Sequence, residues 1–204
     1  MRRLLALVAV AISCNIGNAY ASTIDFEDLA LDLPGVGGDR TSRGFFFDTA
    51  ANHSHIDDGT SWGTTDGTQI LVVDDLFGVD PVTFSPTAGG AFNLTSIDLS
   101  EAHTFASAHR IQVTGTRFGG GVDPTPLTLT LDFFANPPGL FGFQTFGFGS
   151  DWTNLASVTL RGTDGIANYF AIDNVVVTPV PEPGTLALLG LGSAYLIRRR
   201  RNRR

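Results

Sequence analysis

The chain has almost no cysteine. Cys14 is the only one, and it lies in an apolar leader at the start of the sequence. Once that leader is removed, disulfides, thiolate metal sites and cysteine nucleophiles are all excluded. An exported domain built this way must be held by its core, by a metal, or by both. Lysine is absent altogether, and glutamate occurs only at Glu27, Glu101 and Glu182. Strong helix formers are therefore scarce, while Gly, Thr, Val and Phe are plentiful, the vocabulary of strands and turns. Between the termini no segment keeps apolar residues at helical spacing over three turns. No serine sits in a Gly-x-Ser-x-Gly elbow. Gly119-Gly120-Gly121 lacks the Lys-Ser/Thr of a phosphate loop and reads as a turn.

Both ends carry targeting patterns. Met1-Arg2-Arg3 is a basic start, Leu4 to Ile12 is an unbroken apolar run, and Ala19-Tyr20-Ala21 offers a small-x-small cleavage site. Residues 1–21 read as a secretory signal peptide cut by signal peptidase through Ala19 and Ala21, leaving Ser22 as the mature N-terminus. A permanent N-terminal anchor is the alternative, as is lipidation at Cys14, but Ala11 stands where a lipoprotein signal would place leucine.

The other end reads Pro181-Glu182-Pro183-Gly184, an apolar run from Thr185 to Ile197, then Arg198-Arg199-Arg200-Arg201-Asn202-Arg203-Arg204. Neither proline can donate to a strand ladder. The arginines are too costly to draw through hydrocarbon and stay cytoplasmic. Thirteen helical residues span about 20 Å, short of a ~30 Å hydrocarbon core, which suits a transient inner-membrane anchor. Val180-Pro181-Glu182-Pro183-Gly184-Thr185 with this run and tail resembles the PEP-CTERM signal of Gram-negative bacteria. The resemblance covers residues 180–204. It implies recognition by an exosortase, a membrane cysteine protease, with cleavage near Pro181, Glu182 and Pro183 and delivery to the cell surface or extracellular matrix. An ordinary single-pass anchor is the alternative.

Between Ser22 and Val180, nineteen Asp and Glu face five arginines, a balance of −14. Such a surface repels phosphate backbones, which excludes nucleic acid as a partner. It attracts divalent cations or basic partners, or simply keeps an exported protein soluble.

About 160 residues make one domain, here 22–179. Period-2 alternation recurs along it with turns between. It predicts strands over 23–27, 44–49, 69–73, 82–85, 91–99, 109–115, 127–133, 141–148, 155–160 and 169–177. Residues 34–43 and 50–67 read as long loops. Nine or ten short strands predict an all-β, antiparallel β-sandwich of the jelly-roll type, flanked by an N-terminal signal helix and a C-terminal hydrophobic helix. Ile24-Asp25-Phe26-Glu27-Asp28 at the start and Phe170-Ala171-Ile172-Asp173-Asn174-Val175-Val176-Val177 at the end are similar to jelly-roll modules of the MAM and carbohydrate-binding types. The cysteines of MAM domains are missing.

The best candidate for chemistry is a structural Ca²⁺ site, since calcium takes six to eight oxygens. In a jelly roll the first and last strands are neighbours. Asp25 and Glu27, two apart, would share a face and meet Asp173, with Asp39 adding an oxygen. The alternative is that these carboxylates are solvated or accept backbone N–H groups at turns. His53-Ser54-His55 with Asp57 and Asp58 lacks a third ligand at fixed spacing and reads as a polar loop. Trp62, in a polar loop, could stack on a sugar ring, whereas Trp152 is expected to cover an end of the core. Phe45, Phe47, Phe133, Phe143, Phe146 and Phe148 are core candidates. No catalytic set stands out, although the carboxylates are numerous enough to include a glycosidase pair. The reading is an exported, non-catalytic surface or matrix protein that binds exopolysaccharide or partner proteins. The alternatives are a secreted, glycosidase-like hydrolase and a purely structural coat protein.

Overall fold

The computed structural model describes residues 20–32, 37–49, 53–60, 63–64, 66–75, 81–102, 108–132, 142–164 and 168–181. Ala19–Val180 is one compact unit. The signal peptide and the sorting segment expected at the two ends lie outside the described residues, apart from Tyr20, Ala21, Val180 and Pro181. No described helix is long and apolar enough to cross a membrane.

Twelve strands are described: β1 (Ser22–Ile24), β2 (Arg40–Ser42), β3 (Phe45–Asp48), β4 (Ser54–Asp57), β5 (Ile70–Asp75), β6 (Val82–Pro86), β7 (Ala91–Glu101), β8 (Arg110–Arg117), β9 (Leu127–Thr130), β10 (Gln144–Gly147), β11 (Leu155–Gly162) and β12 (Asn168–Val180). Every pairing is antiparallel. The fold is all-β, as expected, and no α-helix occurs among the described residues.

The hydrogen-bonded path changes layer at a single pairing, Leu155 with Phe92. On one side runs a first sheet, β2-β3-β6-β11-β8-β9. On the other runs a second, β10-β7-β12-β5-β4, with β1 also on β12. The core lies between them. Phe45, Phe47, Phe84, Ile111, Val113 and Val158 come from the first sheet, and Ile24, Leu71, Phe92, Ile97, Phe170 and Val177 from the second. Phenylalanines bridge the layers, with the Phe45 and Phe92 rings 5.2 Å apart edge to face and those of Phe84 and Phe92 5.8 Å apart. Offset and edge contacts of this kind suit the aromatic quadrupole. Trp152 is buried and takes Phe148 edge-on at 4.8 Å. Phe146 and Phe148 pack against the core, but Phe143 joins a second, smaller cluster on the outer face of the second sheet, with Ile70, Val72, Ala102, Tyr169 and Ala171. Phe133 lies outside the described residues.

Two strands fall where loops were expected. β2 is three polar residues. It forms because Arg43 and Gly44, at φ of 48° and 82°, make a tight turn into β3. β4 has one apolar residue, Ile56, so alternation could not reveal it, yet Ser54, His55 and Ile56 are all buried against β5.

The last strand carries the feature that shapes the site. Phe170 and Ile172 face the core, and so do Val175 and Val177. The parity changes because the register shifts between Asp173 and Val176, with Asn174 at φ 45°. This is a β-bulge, with Asn tolerating the left-handed region better than a branched residue would. β5 pairs β12 before the bulge and β1 pairs it after.

Candidate functional site

The bulge leaves Asp173 on the outer face of the second sheet, fully buried. Its Oδ2 accepts the Thr68 hydroxyl at 3.0 Å and the Asn174 amide at 3.1 Å. Its Oδ1 has no hydrogen-bond partner. Burial pushes the Asp173 carboxyl up to about 8. The Asn174 N–H opposes that shift, while the neighbouring Asp66 carboxylate adds to it. Asp66 in turn accepts the Thr68 N–H at 3.0 Å and shares the one Thr68 hydroxyl proton with Asp173.

Asp66 and Thr68 were not expected here, although their signal was in the sequence. Asp58-Gly59-Thr60 and Asp66-Gly67-Thr68 repeat one tripeptide eight residues apart. Both fold alike, the aspartate accepting the threonine N–H at 3.0 Å across a glycine at φ 77° or 95°. This is the Asx-turn that Asp favours.

Of the four carboxylates expected to meet, Glu27 reaches the same loop. Its Oε1 accepts the Gln69 N–H at 2.6 Å, one residue beyond Thr68. Asp25 and Asp39 go elsewhere. β1 ends at Ile24 and Phe26 turns to φ 57°, so Asp25 and Glu27 do not share a strand face. Asp25 pairs with Arg43 at 2.9 Å and 3.1 Å, and this guanidinium holds the Asp25 carboxyl below its usual range. Asp39 accepts the Thr49 N–H at 3.1 Å, beside β2. Among the described residues no three His, Asp or Glu side chains converge on one point. What converges is two carboxylates and a hydroxyl: Asp66, Asp173 and Thr68. The orphaned Asp173 Oδ1 and the adjacent Asp66 are oxygen donors of the kind a hard cation takes. Trp62 lies outside the described residues.

The histidine segment is a strand rather than a loop. His55 is buried, with Nδ1 3.3 Å from Asp74 and Nε2 3.6 Å from Asp57.

The first sheet offers a different surface. Opposite its buried residues, alternation turns Thr83 and Ser85 (β6), Ser157 and Thr159 (β11), Gln112, Thr114 and Thr116 (β8), and Thr128 and Thr130 (β9) outward. The register places Thr83, Thr159 and Thr114 side by side, with the Thr83 and Thr159 hydroxyls 2.8 Å apart. Gln112 lies next to Thr128.

Residues 179–201 match the PEP-CTERM protein-sorting motif. The chain is thus an exported, membrane-anchored precursor that an exosortase processes and sorts to the surface. No curated protein matches the chain. Among solved structures, similar chains include a family 29 carbohydrate-binding module variant complexed with mannohexaose, at 11% identity and TM-score 0.44, covering 78% of this chain and 91% of that one. A family 29 module from Piromyces equi aligns at 11% identity and TM-score 0.40, covering 79% and 90%. The cleaved adhesin domain of Lys-gingipain aligns at 12% identity and TM-score 0.45, covering 79% and 98%.

Proposed function

We propose that the exported domain is a non-catalytic surface or extracellular-matrix protein that binds polysaccharide through the outer face of its first sheet. The observation that carries this reading is the cross-strand array of Thr83, Thr159 and Thr114, continued by Gln112 and Thr128. Hydroxyls and an amide on a pleated sheet can both donate and accept, as sugar hydroxyls require. The χ1 stiffness of the threonines limits the side-chain entropy lost on binding. A hydrolase would instead need two carboxylates facing one another across the scissile bond. Trp62 is a further candidate for stacking on a sugar ring. The test is a glycan array probed with the full chain, beside a Thr114→Glu/Thr128→Glu variant. Binding by the wild type and its loss in the variant are expected. An array with no bound glycan would leave a structural coat protein as the reading.

The same reading includes a structural calcium ion. Asp66 and Asp173 would hold it with the Thr68 hydroxyl, and Glu27 would fix the loop from its other end. The ion would neutralise two adjacent carboxylates and tie the last strand to the loop before β5.

A further inference from the structure

We infer that the outer face of the first sheet selects a sparsely charged acidic polysaccharide, with Arg110 and Arg161 contacting its carboxylates. This rests on the reading of that face as a glycan surface and names the class of glycan. The domain has five arginines, and three are committed. Arg40 pairs with Asp32 at 2.8 Å, and Arg43 with Asp25 at 2.9 Å. Arg117 donates to the carbonyls of Val122, Asp151 and Thr153. Arg110 and Arg161 are exposed, and among the described residues neither guanidinium has a carboxylate partner.

The two are also neighbours. Arg161 pairs with Gln112, and Gly162 with Ile111, so Arg110 lies on the diagonal from Arg161 on the same face. Diagonal neighbours on one face are about 7–8 Å apart, within joint reach of long side chains. Thr130 pairs with Arg110 and Thr128 with Gln112, so hydroxyls and an amide surround the guanidiniums. Asp164, beside them, directs Oδ1 to the N–H groups of His109 and Arg110. Asp48 faces outward on β3, two strands from β11.

Charge decides the class of ligand. A domain at −14 repels dense polyanions. Two adjacent free guanidiniums suit a single carboxylate, which they can clamp with charge-assisted hydrogen bonds. The flanking threonines and Gln112 suit the neutral sugars on either side. Uronate units spaced among neutral sugars satisfy both conditions.

The experiment uses the full chain in mild detergent, with deacylated gellan, whose repeat holds one glucuronate among neutral sugars, and with the same polymer after carboxyl reduction. Gellan is expected to bind at least about tenfold more tightly than the reduced polymer. Arg110→Gln/Arg161→Gln should erase that preference while its melting temperature stays at the wild-type value. Added NaCl should weaken wild-type binding to gellan and leave the reduced polymer unaffected. Equal binding of both polymers, unchanged by the double substitution and by salt, would overturn the acidic preference and leave glycan binding standing. Binding of neither polymer would overturn the acidic preference, and the glycan array then decides whether the face binds glycan at all.

Discussion

Thr68 donates its hydroxyl to Asp173 at 3.0 Å, joining two residues 105 positions apart in the sequence. The bond pins the loop before β5 to the bulge in the last strand. It also fixes the Asp66 carboxylate against a second one that water cannot reach.

Asp173 makes stability depend on pH. In chelator its folded pKa, about 8, stands above the ordinary value of 3.8. Between these values the folded chain binds more protons than the unfolded chain, so this group's contribution falls as pH rises from about 4 to about 8. Asp173→Asn removes the titration. Relative to wild type, it is expected to gain on the order of a few kcal/mol at pH 9, shrinking toward pH 4. Urea unfolding at both pH values measures it, and a pH-independent difference would refute the assignment.

Calcium should act in the opposite sense to the proton. At a hundredfold excess over Kd, a ligand bound only by the folded state adds about 2.7 kcal/mol. For a domain of this size that is a rise of roughly 5–11 °C in Tm. The rise should be larger at pH 8 than at pH 5, where the proton competes, and should vanish in Asp66→Asn. Identical melting curves with calcium and with chelator would remove the ion from the account.

The phenylalanine cluster should dominate core stability. Phe84 is fully buried, stacked on Phe47 at 5.4 Å and tilted against Phe92. Phe84→Ala is expected to cost about 3–5 kcal/mol. Denaturant midpoints at constant m-value would report it.

Gly115 tests packing in the other direction. A Cβ there would meet Pro124 at 3.0 Å, Leu155 at 3.1 Å and Trp152 at 3.2 Å. Gly115→Ala should therefore destabilise by about 1–3 kcal/mol, despite alanine's better backbone entropy. A gain in Tm would show that the Trp152 corner is loose.

Sorting should depend on the prolines. Pro181→Ala/Pro183→Ala is expected to accumulate as uncleaved precursor in the inner membrane, and removing Arg198 to Arg204 should mislocalise the chain. Fractionation with an antibody to the β-domain distinguishes these outcomes. Normal release of the proline variant would contradict exosortase processing at the motif over residues 179–201.

The sequence by itself determined the targeting logic and the fold class, because both rest on local order along the chain. A motif of turn, apolar run and basic tail is read in one dimension, as is alternation in segments such as Leu127 to Leu131. Tertiary structure decided what is read across strands. Alternation could not foresee the bulge at Asp173 and Asn174, which resets which side chains face the core. Nor could it foresee β4, whose polar residues are buried because the neighbouring strand β5 supplies both the ladder and Asp74. Asp25 and Asp173 were expected together since first and last strands do pair, but Phe26's positive φ ends β1 early and hands Asp25 to Arg43. Asp66 took that place because a local Asx-turn set it beside Thr68 and the 105-residue contact of Thr68 with Asp173, which no local spacing shows, carried both there.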